Sequence, residues 1–129
     1  MVEIGITNTK SVMCTASNTA LAMGSGDLEV FATPAMIALM EGTAAASVAD
    51  QLEPGQTTVG TALDVAHTAA SPVGIEITCT SELVEINGRE LVFKVVARDT
   101  KGQIGEGIHK RFIVDAERFF GKTQKKLED

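Results

Sequence analysis

Apolar positions along the chain follow two rhythms. Between Val30 and Leu52 they recur at helical spacing, at Met36, Ile37, Met40, Ala44, Val48 and Leu52. Thr33-Pro34 opens this run as a hydroxyl cap followed by a proline at the first helical position. Pro54-Gly55 stops it. Ala35, Ala38, Leu39, Ala45 and Ala49 fill the remaining sides, so the helix is apolar nearly all round and is predicted to be wrapped by protein. After Gly55 the rhythm changes to strand-like runs over residues 56–69, 74–86, 91–98 and 103–114. Ile86-Asn87-Gly88-Arg89 predicts a type I′ hairpin, and Lys101-Gly102 turns the chain again. Ahead of the long helix, residues 3–15 predict a strand, residues 17–23 a short helix capped by Ser17, and residues 23–27 a glycine loop. Asp115 is predicted to cap a C-terminal helix with a basic end.

The order is therefore strand, short helix, long buried helix, then four strands expected as an antiparallel meander. A long apolar helix needs a curved sheet to cover it, which predicts an α+β hotdog fold, an antiparallel sheet wrapped around a long central helix. One sheet cannot cover every side of so apolar a helix, so a dimer is expected. The 129 residues suit one domain, taken as residues 1–129.

Composition narrows the function. The formal charge of −6 leaves no basic footprint for nucleic acid. No apolar stretch reaches about 18 residues free of charge, so no membrane partner is expected. The core must come from aliphatic residues, because the chain has five Phe and neither Trp nor Tyr. Cys14 and Cys79 belong to no metal-binding cluster and predict two buried thiols in a cytoplasmic protein. Two histidines without HxxxH or HEXXH spacing predict no catalytic metal. GxGxxG, Walker A and GxSxG patterns are missing as well.

Glu41 is the residue that asks for an explanation. Its helical neighbours Ile37, Ala38, Ala44 and Ala45 are apolar, so the carboxylate must be neutralised, paired or kept wet in a cleft. Thr33 caps the helix on this reading, and the exposed amides beside it suit a carbonyl oxygen or an oxyanion. His67 falls on a strand, where a hydrogen-bonded structural role competes with an acid–base role. His109 has the same standing, with solvent exposure expected because Lys110 and Arg111 follow it. Gly60 inside a strand marks a bulge or a close approach.

Four stretches carry a resemblance: VFATPAMIALME, LEPGQTTVGTALDVAHTAASPVG, NGREL with the alternating residues after it, and IGEGIHKRFIV. Over residues 17–120 the chain resembles the hotdog-fold thioesterases related to the fluoroacetyl-CoA thioesterase. The resemblance implies hydrolysis of a small acyl-CoA thioester by a homodimer, or a higher oligomer, with both subunits lining the cleft. It implies Thr33, Glu41 and His67 as catalytic residues, Gly60 and Arg111 as substrate-binding residues, and no cofactor beyond the CoA of the substrate. The stretch AMGSGDLEV and Gly42 depart from that family, which carries aromatic residues there that close the acyl pocket. This departure motivates the alternative, a hotdog protein that binds an acyl-CoA or carboxylic ligand without turning it over. A hydratase on the same fold is the third reading.

Overall fold

The computed structural model describes residues 1–128; Asp129, the last residue of the expected domain, lies outside them. The elements are β1 (Thr7–Met13), α1 (Ala20–Met23), α2 (Thr33–Ala49), β2 (Gln56–His67), β3 (Glu76–Asn87), β4 (Glu90–Asp99), β5 (Gly102–Asp115) and α3 (Ala116–Gln124), followed by a 3-10 turn at Lys125–Leu127. The strands form one antiparallel sheet in the order β1-β3-β4-β5-β2. This is the hotdog arrangement, with α2 laid along the inner face of the sheet.

Helix α2 owes its position to one stripe: Met36, Leu39, Met40, Thr43, Ala44 and Val48 are buried. They meet a wall made by alternate residues of β3 and β4, chiefly Ile77, Cys79, Leu83, Leu91, Phe93, Val95 and Ala97. Both cysteines are buried free thiols. Asn8 Nδ2 donates to the Thr43 carbonyl at 3.1 Å and ties β1 to the helix.

Several expectations need correction. The four later strands are not a simple meander: β3, β4 and β5 are, but β2 pairs with β5 at the far edge. The link between β2 and β3 contains Pro72 and is not a tight turn. It is pinned at the entrance of α2, where the Phe31 amide donates to the Ser71 carbonyl at 2.9 Å. The short helix is capped by Thr19, not Ser17, with the Ala22 amide donating to Thr19 Oγ1 at 3.2 Å. The N-cap of α2 is Ala32, with no side-chain cap bond, and Thr33 is already helical. The helix ends at Ala49, ahead of Leu52 and Pro54. Gly88 and Arg89 are the central residues of the β3–β4 turn, because Asn87 pairs with Glu90. Gly88 has φ 64° and no described non-glycine residue has positive φ. A single left-handed residue at the first central position is the II′ pattern, not I′. Asp115 caps α3 as expected, accepting from the Arg118 amide at 2.9 Å.

Met40 has no exposed surface and sits at the centre of the helix–sheet contact. Met40→Ala is expected to cost about 2–5 kcal/mol through lost burial and the cavity left behind. Urea unfolding measures this; a cost under about 1 kcal/mol would mean that α2 is not seated as described.

Candidate active site

The entrance of α2 and the end of β2 meet at one point. Thr33 Oγ1 lies 2.7 Å from His67 Nδ1. Because the N-cap is an alanine, the first-turn amides have no side-chain cap, and the Thr33 hydroxyl is turned to the imidazole instead. A cleft of about 280 Å³ opens beside this pair, lined by Ala20, Ser25, Val30 and Ala69 among others. His67 Nε2 is shielded and has no hydrogen-bond partner among the described residues. Burial holds the His67 pKa below the ordinary imidazole value, and the Ala69 backbone offsets part of that drop.

Glu41 lies elsewhere. Eight residues are just over two helical turns, which sets Glu41 about 12 Å further along the axis and about 80° round from Thr33. There it meets β2 at Gly60, seven residues ahead of His67. Glu41 Oε2 is 3.9 Å from Arg111 Nη1, and its side chain is 40% exposed. Gly60 makes the room: a Cβ there would stand 2.9 Å from Glu41 Oε2 and 3.4 Å from Arg111 Nη1. The carboxylate is thus paired at long range and kept wet, at the margin between the buried stripe and the open strip of Pro34, Ala38 and Ala49.

Arg111 is held from behind. Its Nε donates to Thr58 Oγ1 at 2.8 Å, its Nη2 to the Thr58 carbonyl at 3.0 Å, and Nη1 lies 3.1 Å from His109 Nε2. His109 Nδ1 is 2.9 Å from the Ala62 carbonyl. A carbonyl only accepts, so Nδ1 carries the proton and Nε2 is the acceptor for Arg111. Burial lowers the pKa of His109, with the Arg111 charge acting in the same direction. His109 is fully buried, contrary to the exposure expected from its basic neighbours. Strand alternation explains this: Lys110 points to the outer face while His109 and Arg111 point inward.

Within one chain the structure thus brings Thr33 to His67, and Glu41 to Gly60 and Arg111, and leaves the two groups apart. The role of His109 is what sequence reasoning missed; its spacing of two from Arg111 was the available signal. Among the described residues no group of three or more His, Cys, Asp or Glu side chains could hold a metal. No helix among them is long and apolar enough to cross a membrane.

A family model described as fluoroacetyl-CoA-specific thioesterase matches residues 14–117. The fluoroacetyl-CoA thioesterase of Streptantibioticus cattleyicolor is 44% identical over 98 residues, which cover 76% of this chain and 70% of that protein. A crystal structure of a point mutant of the fluoroacetyl-CoA-specific thioesterase superposes with a TM-score of 0.91 at 35% identity, covering 98% of both chains. A complex of that mutant with fluoroacetate and CoA gives a TM-score of 0.86 at 35% identity, covering 92% of this chain and 99% of the other. A hot-dog-like protein from Thermanaerovibrio acidaminovorans gives a TM-score of 0.89 at 21% identity, over 98% of this chain and 93% of its own, and shares the fold.

Both histidines have folded-state pKa values below the ordinary 6.5. As pH falls through 6.5 the unfolded chain protonates first, so stability present above that pH is lost on the way down to the folded values. The urea midpoint is therefore expected to fall between about pH 7.5 and about pH 5, and to fall less in His67→Gln. An equal drop in that variant would show that His67 is not held neutral by the fold.

Proposed function

Because the chain belongs to the fluoroacetyl-CoA-specific thioesterase family, we propose that it hydrolyses a small acyl-CoA thioester with Thr33, Glu41 and His67 as its reacting side chains. The whole chain would form one thioesterase domain working as a homodimer. No cofactor is needed beyond the CoA of the substrate, and two free buried thiols fit a reducing cytoplasmic setting.

One observation carries the dimeric site. Thr33 touches His67, the last residue of β2, and Glu41 touches Gly60, seven residues earlier, so α2 and β2 run in opposite directions. Gly60 and His67 are about 20 Å apart along the strand, too far for one chain to unite them. They nevertheless share the inner face, because β2 is bulged between Gly60 and Ala62. β2 is also an edge strand of 12 residues whose outer side is unpaired among the described residues, and Leu63 on its inner face is 40% exposed. An unpaired edge of that length is a template for a second copy. Antiparallel pairing of two β2 edges about a two-fold axis sets the Gly60 end of one copy against the His67 end of the other. Glu41 then joins Thr33 and His67 across the seam, and two such sites form per dimer.

In that site the uncapped amides of α2 receive the thioester oxygen as negative charge develops on it. Glu41 attacks the carbonyl carbon to give a mixed anhydride that water then cleaves, or takes a proton from a water that attacks directly. The CoA sulfur departs with the C–S electron pair, and the proton that the water loses to Glu41 or His67 passes to the thiolate, which returns both side chains to their starting state. Gly60 leaves space for the acyl carbonyl, and Arg111 supports the Glu41 charge.

Thiol release from a panel of short, branched and aromatic acyl-CoAs is the direct assay. Glu41→Gln is expected to lower turnover ~100 to 10,000-fold. The seam is tested by complementation. Glu41→Gln and His67→Ala are each inactive as pure dimers. Mixed at equal amounts they form half heterodimers with one intact site in two, restoring about a quarter of wild-type activity. No recovery from verified heterodimers would place the whole site within one chain or remove one of the residues from it.

A further inference from the structure

We infer that His109 is a positioning residue that turns the Arg111 guanidinium away from Glu41, so that the carboxylate receives the positive charge of the arginine without being clamped by it. This rests on the reading of Glu41 as the reacting group of a thioesterase.

The donors of Arg111 are largely committed elsewhere. Nε and one N–H of Nη2 go to Thr58, and one N–H of Nη1 goes to His109 Nε2, so three of the five N–H groups are engaged and the orientation of the plane is set. Arginine next to a carboxylate ordinarily forms parallel short hydrogen bonds in a fork. Here the nearest approach to Glu41 is 3.9 Å, beyond hydrogen-bond range. The pair has charge attraction and no hydrogen bond, which leaves the Glu41 lone pairs free to attack a carbonyl carbon or take a proton. A clamped carboxylate would have those lone pairs engaged.

His109 is built for this task. Its Nδ1–H is fixed by the Ala62 carbonyl, so Nε2 is an obligatory acceptor. Ala62 follows the bulge in β2, which sets that carbonyl against the imidazole. Phe93 lies beside the ring in a loosely stacked arrangement, with centroids 6.4 Å apart. Burial, the largest effect, and the Arg111 charge oppose protonation, while the hydrogen bond to the Ala62 carbonyl and the Glu41 charge favour it, and the balance holds the pKa below the ordinary imidazole value. The residues facing His109 from β2 and β4, Ala62, Leu63 and Phe93, carry no charge. The ring therefore stays neutral and stays an acceptor.

The test compares two substitutions. His109→Leu removes the acceptor, and Nη1 is expected to swing onto Glu41 to about 2.8 Å in a crystal structure of the variant. Its kcat is expected to fall as much as ~100-fold, with a smaller change in KM from the moved Arg111, since the reacting group is engaged. His109→Gln keeps an amide oxygen for Arg111 and an amide N–H for Ala62, and is expected to recover most of the kcat. Should His109→Leu fail to fold, Thr58→Val removes the acceptor for Nε and is expected to shift kcat in the same direction with a smaller change in KM. Folded Leu and Gln variants with equal kcat would overturn the inference, as would a Leu variant whose Nη1–Glu41 distance stays near 3.9 Å. A wild-type enzyme that releases thiol from no acyl-CoA would instead remove the functional reading, while the variant structure would still decide the role of His109.

Discussion

The seating of α2 is the constraint on which everything else depends. Its buried stripe of Met36, Leu39, Met40, Ala44 and Val48 is matched to the inner wall of β3 and β4, and that contact fixes both the height and the rotation of the helix. Rotation is what matters for chemistry. With that stripe facing the sheet, Glu41 falls at the boundary between covered and open surface. One residue further round, the carboxylate would enter the core and lose its water. On the far side it would face bulk solvent, without Arg111.

The β2 bulge is the second determinant, and it works through parity. In a regular strand, residues an odd number of positions apart lie on opposite faces. Gly60 and His67 are such a pair by number, yet both face α2, because the register against β5 slips between Gly60 and Ala62. One extra residue thus gives β2 two inward-facing functional positions, one under each end of the α2 segment from Thr33 to Glu41. The same slip directs the Ala62 carbonyl at His109.

Much of this was legible in the sequence, for physical reasons that differ by element. Thr33-Pro34 and the helical spacing of apolar residues reveal α2, since burial leaves a periodic mark. The capping residue was misread because Thr33 can satisfy either an amide or an imidazole, and only the fold shows that His67 is beside it. The position of β2 beyond β5 was illegible, since alternation identifies strands and not their neighbours. His109 was misjudged because Lys110 points to the opposite face, and Arg111, which shares the inner face with His109, is itself buried. The juxtaposition of Glu41 with Arg111 links residues far apart in sequence across helix and sheet, and no local pattern encodes it. The separation of Glu41 from Thr33 within one chain was encoded all along in their spacing of eight, which a helix converts directly into length.

An acidic protein acting on an anionic thioester has to manage an unfavourable long-range field, and the structure shows how small the relevant region is. The formal charge is −6, but at physiological salt the screening length is about 8 Å, so surface carboxylates beyond that distance contribute little at the site. Arg111 is only 8% exposed and is screened far less. Its charge is held by neutral partners, Thr58 and His109, which engage three of its five N–H groups without cancelling it. A second carboxylate in place of either would neutralise the arginine and leave Glu41 to face the substrate alone. The choice of a hydroxyl and a neutral imidazole as the anchors of Arg111 therefore follows from the same requirement as the 3.9 Å gap: the positive charge must act on Glu41 and must not be spent elsewhere.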